Sequence, residues 1–246
     1  MDGIGQGAKV AFTLPIFGGI EITETILIGW LIILAVLLLC IFLTRGLKKV
    51  PTKKRQIIAE MFVGFVNNMV EQTMGKKWKR YAPYIATLLV YAVLGALVSL
   101  LGLRSMTADF NVPLTWALMT FVLITYHKIR SGGPLGYAKS FASPIPVMLP
   151  LNLLSEIATP LSMAFRMFGN ISGGAVITAL LYSALAGVSE ALHIAFQVGD
   201  IGLNLGQLFI PAVLSVYFDL FSGCIQAYIF ATLTMVYVSS AAEEDA

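Results

Sequence analysis

A chain of 246 residues with a formal net charge of +3 carries only 12% charged residues, while 58% of its residues are hydrophobic. Soluble domains average roughly 25% charged residues, and the mean hydropathy here is +0.85. That balance excludes a water-soluble domain and points to lipid as the main solvent of a polytopic α-helical membrane protein. Cys40 and Cys224 both fall in apolar stretches, where a thiol reads as a small packing side chain. The sequence offers them no disulfide or metal partners, and His127 and His193 are too scattered for a metal cluster. Neither metal nor cofactor is expected. The opening MDGIGQGAKVAF lacks a basic region followed by a short apolar core, so no removable signal peptide is expected either.

In chain order, residues 1–24 form an N-terminal segment before the first predicted span, 25–43. Residues 53–79, KKRQIIAEMFVGFVNNMVEQTMGKKWK, differ in character: Ile57, Met61, Phe65 and Met69 recur every fourth residue between basic ends. This pattern predicts an amphipathic helix lying in the membrane interface, or one docking on a partner. Residues 83–126 read as a helical hairpin, interrupted by the loop RSMTADFNVP. Residues 127–146, rich in Gly, Ser, Pro and basic residues, read as an exposed loop. Residues 147–240 then hold two long apolar stretches, about Val147–Leu185 and Leu192–Val238, before the acidic tail EEDA.

Apart from Lys9, Arg104 and Arg166, every Lys and Arg lies in Arg45–Arg80 or Lys128–Lys139. The positive-inside rule makes both regions cytoplasmic, with the N-terminus outside and the C-terminus cytoplasmic after five crossings. The stretch Val147–Leu185 would extend ~58 Å as a helix, far more than a hydrocarbon core of ~30 Å, so it must bend or lie strongly inclined.

Each long stretch carries a polar stripe at helical spacing. The first holds Asn152, Glu156, Thr159, Ser162, Arg166, Asn170 and Gly173; the second holds Asp200, Asn204, Gln207, Ser215, Asp219, Ser222 and Gln226. Taken singly, Ser and Thr hydroxyls at such positions serve as helix glue worth roughly 0.6 kcal/mol. Ionisable groups differ, because a centrally placed Arg or Asp costs about 2.5–3.5 kcal/mol to insert. Arg166 and Asp219 could form a silent ion pair with each other. The additional Glu156 and Gln226 instead suggest a hydrated path, in which a fixed positive charge attracts a carboxylate and keeps it ionised.

PLSMAFRMFGN, followed by IQAYIFATLTMVYVSSAAEED, resembles subunit a of the membrane sector of bacterial F-type ATP synthases. TADFNVPLTWAL, GGPLGYAKSF and PLNLLSEIATPLS occur in the order typical of that family, and the likeness covers roughly residues 80–246. The resemblance implies a stator role in the bacterial cell membrane. Two long inclined helices would face a ring of c subunits, with peripheral-stalk b subunits and the remaining synthase subunits as further partners and no nucleic acid. It implies that Arg166 meets the ring carboxylates, with Asn170 and Gln226 near it. Glu156 and Ser162 would line aqueous access, and Asp219 would serve the entry channel. Where some members carry Glu or His, this chain has Ala175, leaving Asp219 to act alone or with Asn204, Gln207 or Glu190. No GxxxxGK[ST] run is present, so the chain is not expected to be an enzyme by itself, and ATP chemistry would belong to partner subunits. Two competing readings are a stand-alone secondary transporter, which would usually show inverted repeats, and a noncatalytic assembly scaffold.

Overall fold

The computed structural model describes residues 10–14, 20–46, 48, 53–101, 103, 105–143, 145–191, 196–198, 201–203, 213–214 and 216–243. Its helices are α1 (Glu24–Thr44), α2 (Lys54–Met74), α3 (Ala82–Leu97), α4 (Asn111–Ser140), α5 (Leu149–Ala191) and α6 (Gly223–Glu243). Five helical segments are long and apolar enough to cross a membrane: Glu24–Thr44, Lys76–Leu101, Asn111–Ser140, Pro146–Leu185 and Val216–Ala242. The architecture is that of an all-α polytopic membrane protein. Helices suit this setting because each satisfies its own backbone hydrogen bonds where no water can.

Two short antiparallel pairs supplement the helices. β1 (Val10–Leu14) pairs with β2 (Ile20–Thr23), and β3 (Phe196–Val198) pairs with β4 (Ile201–Leu203). Helical periodicity gives no hint of either pair. The second pair falls where a single helical stretch over Leu192–Val238 is expected from the sequence. A π-helical segment, Val216–Ser222, then leads into α6.

Thr25 anchors the start of α1. Its hydroxyl is buried and donates to Asp109 Oδ2 at 3.1 Å, tying α1 to the segment before α4. Most of the remaining α1 surface, including Leu31, Leu34, Leu38 and Phe42, is exposed within the chain, as a lipid-facing span requires. On α2 the buried face is Val66, Met69, Val70 and Met74, while Ile57, Met61 and Phe65 point outward. The C-terminal half of α2 therefore belongs to the core and the N-terminal half leaves its apolar residues uncovered. Lys79 Nζ lies 2.8 Å from Glu71 at the end of this helix, and that hydrogen bond holds the Glu71 carboxyl below its ordinary range.

α3, α4 and α6 form the centre. In one cluster Ile85 and Leu89 meet Val70, Ala231 and Met235; in the next, Leu88, Ala92 and Trp116 meet Met163, Met167 and Phe230. Thr120 and Thr234 face each other at 3.2 Å between α4 and α6. α4 continues helically through much of the segment expected as a loop, broken at Gly133, whose φ is +73°. Glycine adopts that conformation without a steric penalty, and Pro134 restarts the helix where its missing N–H has no bond to lose.

Small residues set how closely the helices approach. A Cβ on Gly223 would lie 2.9 Å from Ala96 Cβ, and one on Gly174 would lie 3.1 Å from Phe218. A Cβ on Gly169 or Gly173, by contrast, would meet no described residue within 4 Å. Gly223→Val is therefore expected to force α6 from α3 and destabilise the chain by about 1–3 kcal/mol. Gly173→Val should leave folding unchanged, and denaturant unfolding of the purified variants checks both outcomes.

Candidate ion path

α5 positions most of the candidate site. It runs 43 residues, helical through the internal Pro160, and so extends about 65 Å. One face is buried: Met163, Ala164 and Met167 are 2%, 0% and 1% exposed, against α3, α4 and α6. Phe110 fixes the same stretch from the α4 side, stacked on Phe165 at 4.9 Å and edge-on to Phe168 at 5.5 Å. The other face carries Ser162, Arg166 and Gly169, all exposed within the chain. Arg166 forms no ion pair with any described residue. The guanidinium thus stands on an uncovered helix face, one turn beyond Ser162.

Asn170, a turn further on, turns toward the last helix instead. Ser222 Oγ donates to its Oδ1 at 2.6 Å, while Asn170 Nδ2 is buried with no hydrogen-bond partner among the described residues. Gln226, one turn beyond Ser222, is 8% exposed. The Ser222–Asn170 bond therefore links the two polar stripes, from the π-helical segment before α6 to α5. Asp219 belongs to the π-helical segment, and Glu190 to the last turn of α5, but their side chains lie outside the described residues. Asn204 and Gln207 lie outside the described residues altogether. Ala175 is exposed on α5.

Glu156 sits ten residues before Arg166, about 15 Å along the helix. It is not free. Lys128 Nζ donates to its Oε2 at 2.8 Å, and Tyr137 OH donates to Oε1 at 3.3 Å. The two charged side chains are 20% and 12% exposed. Beside them opens a cavity of about 690 Å³, lined by Lys128, Lys139, Asn152, Ser155, Glu156 and Thr159 among others. Asn152 braces its wall by donating to the carbonyls of Phe141 at 2.9 Å and Ser143 at 3.0 Å. A smaller cavity of about 140 Å³ shares Lys128, Glu156 and Thr159 and reaches Tyr237 and Ser240 of α6. Polar walls and this size admit water.

The structure thus places Glu156, Ser162, Arg166 and Asn170 along one helix, with Gln226 buried on α6. It adds two residues that the sequence did not single out, Lys128 and Tyr137. Lys128 read only as one charge in a basic loop. Its pairing depends on α4 remaining helical past Tyr126, which the Gly-Gly-Pro run obscured. No group of His, Cys, Asp and Glu able to hold a metal occurs among the described residues.

Residues 26–239 match the family described as ATP synthase A chain. The chain belongs to that family. Membership makes it a multi-pass membrane component of an F-type ATP synthase, with ion translocation as its task and the other subunits of that complex as partners. Among its relatives, the "ATP synthase subunit a, sodium ion specific" of Propionigenium modestum is 31% identical over 236 residues, covering 89% of this chain and 74% of that protein. The "ATP synthase subunit a 2" of a Bradyrhizobium strain is 34% identical, covering 91% of each chain. The "ATP synthase subunit a" of Bacillus subtilis is also 34% identical, covering 85% of this chain and 88% of that protein.

A hydrogen-bonded, largely buried ion pair such as Lys128–Glu156 is sensitive to losing one partner, because the other is left desolvated. Lys128→Met alone is expected to destabilise the chain by about 1–3 kcal/mol, as is Glu156→Gln. The double variant should lose less than the sum of the two. Unfolding of the four proteins in a double-mutant cycle measures the coupling.

Proposed function

We propose that the chain forms the stator side of two offset half-channels facing a ring of c subunits. The observation that carries this reading is Arg166, a permanent cation on an uncovered apolar helix face without a carboxylate partner among the described residues. Inserting such a charge costs about 2.5–3.5 kcal/mol even on permissive scales. A carboxylate arriving from another subunit offsets that cost and is itself kept ionised by the guanidinium. The open space beside Gly169 and Gly173 lets a neighbouring helix approach this face closely.

In this reading an ion enters from outside along Asp219, with Asn204, Gln207 and Glu190 as further candidates for the outer path. It neutralises a ring carboxylate, which then turns into lipid without exposing a bare charge. After nearly a full turn the site reaches the polar cavity at Glu156 and releases its ion. Ser162, Asn170 and Gln226 keep the faces around Arg166 polar, and Arg166 blocks direct passage between the two channels because it repels any free cation. Each elementary charge gains about 2.3 kcal/mol per 100 mV of membrane potential, so several ions are needed for each ATP made. ATP chemistry belongs to other subunits of the complex, and peripheral-stalk b subunits hold this one still.

The orientation proposed has the N-terminus outside and the C-terminus in the cytoplasm of a bacterial cell. It rests on the basic residues at both ends of α2 and on Lys128, Arg130 and Lys139 of α4. The cavity at Glu156, lined by two of those α4 lysines, then opens on the cytoplasmic side.

Two substitutions test the reading in the intact complex reconstituted in vesicles. Arg166→Ala should abolish ion-driven ATP synthesis while the complex still assembles; normal synthesis would overturn the barrier role. Asp219→Asn should slow ion pumping driven by ATP hydrolysis, and an unchanged pumping rate would make Asp219 a structural residue. Running the pumping assay with and without Na⁺ at fixed pH identifies the coupling ion.

A further inference from the structure

Where α3 begins and α4 approaches its break at Gly133, two open cavities meet. The first, about 460 Å³, is rimmed by Lys77, Arg80 and Arg130 against Trp78, Tyr81 and His127. The second, about 570 Å³, is walled by Leu118, Met119, Val122 and Leu123 of α4 and shares Arg80 and Tyr81 with the first. Neither touches the ion path: they share no lining residue with the cavity at Glu156.

The three cations at the rim form no ion pair with any described residue, and Arg130 Nη1 donates to Tyr126 OH at 3.0 Å. Their neighbours Lys76 and Lys79 differ, both lying within reach of Glu71. Behind them the ring stack is firm: Trp78 lies 5.2 Å from Tyr81 and 4.8 Å from His127, and Tyr81 OH hydrogen-bonds to His127 Nε2. Leu118, Met119 and Val122 are about half exposed or more along the second cavity.

We propose that these joined cavities bind one anionic phospholipid, its phosphate among Lys77, Arg80 and Arg130 and one acyl chain along the α4 groove. The inference rests on α3 and α4 spanning the membrane, not on the half-channel reading. An apolar groove on a spanning helix accepts any lipid tail and selects nothing. Three cations without an ion-pair partner among the described residues stand at its mouth and supply the selection, because basic pockets between spanning helices attract anionic head groups. A small free anion would satisfy the cations but leave the groove unused. The depth also fits, since Trp and Tyr rings sit at head-group level in a bilayer. A lipid held there would bridge the start of α3 to the far end of the α4 span.

The test uses the full chain purified in mild detergent, with bound phosphatidylglycerol and phosphatidylcholine counted by native mass spectrometry. The chain should retain phosphatidylglycerol in preference to phosphatidylcholine. Lys77→Gln/Arg80→Gln/Arg130→Gln should lower that retention roughly tenfold or more. Val122→Trp, which fills the groove, should lower it too, while Arg45→Gln/Lys48→Gln should not. If the triple variant fails to insert, Arg80→Gln alone, at the residue common to both cavities, carries the same expectation. Equal retention of the two lipids, or unchanged retention in the glutamine variants, overturns the proposal. So does displacement by millimolar inorganic phosphate together with an unaffected Val122→Trp variant, which would mark a simple anion pocket. Loss of the lipid in the intact synthase would show another subunit occupying the groove, and that also overturns it.

Discussion

A guanidinium in an apolar bundle constrains everything around it, because it cannot shed its charge. Protonation chemistry gives a buried Lys or Asp an escape, whereas Arg stays cationic under any condition a cell meets. The helix bearing Arg166 must therefore leave that side chain a polar or anionic counterpart, and the described part of the chain offers no carboxylate to it. The face must be uncovered by its own bundle and covered by something else. A permanent structural partner would satisfy the charge and silence it. A partner that comes and goes keeps the charge useful, which is the situation a rotating set of carboxylates creates.

The packing follows from that requirement. α5 commits its opposite face to the core through Met163, Ala164 and Met167, small or flexible side chains in the same buried cluster as Trp116 and Phe230. Burying three such residues on one side anchors the helix without enclosing the other. The glycines divide along the same line. Gly174 and Gly223 are used internally, where Phe218 and Ala96 leave no room for a Cβ. Gly169 and Gly173 have no described residue within 4 Å of where a Cβ would stand, which leaves room for a close neighbour outside the chain. One small-residue pattern thus serves two surfaces, and only the contacts separate them.

Much of this was legible in the sequence, and the parts that were not have physical reasons. Hydropathy sufficed for α1, since a span without charges between Glu24 and Thr44 has few alternatives in lipid. The stripe through Glu156, Ser162, Arg166 and Asn170 was readable because α5 is a regular helix, so steps of three and four fall on neighbouring faces. The same arithmetic applied to Asp219, Ser222 and Gln226 assumes α geometry, yet Val216–Ser222 is π-helical and rotates those positions differently. On α2, the fourfold spacing of Ile57, Met61, Phe65 and Met69 marked an apolar face, yet of these only Met69 enters the core, together with Val66, Val70 and Met74. Periodicity reveals that a helix has an apolar side without saying which neighbour will take it. Lys128 was missed for a related reason: its role depends on a tertiary contact with Glu156, 28 residues away.

That contact changes how the inner end of the path works. A bare glutamate beside a polar cavity of about 690 Å³ would be an obvious stopping place for a cation. Here both carboxylate oxygens are engaged, one by an ammonium at 2.8 Å and the other by a phenol at 3.3 Å. An arriving ion must displace one of those donors or pass by. Lys128 also puts a second positive charge near the cavity, some 15 Å along α5 from the level of Arg166. In the proposed reading, an ion released from the ring would be repelled by Arg166, while the Lys128–Glu156 pair, close to neutral as a whole, would neither hold nor block it. The carboxylate beside the cavity would then serve to cancel the Lys128 charge.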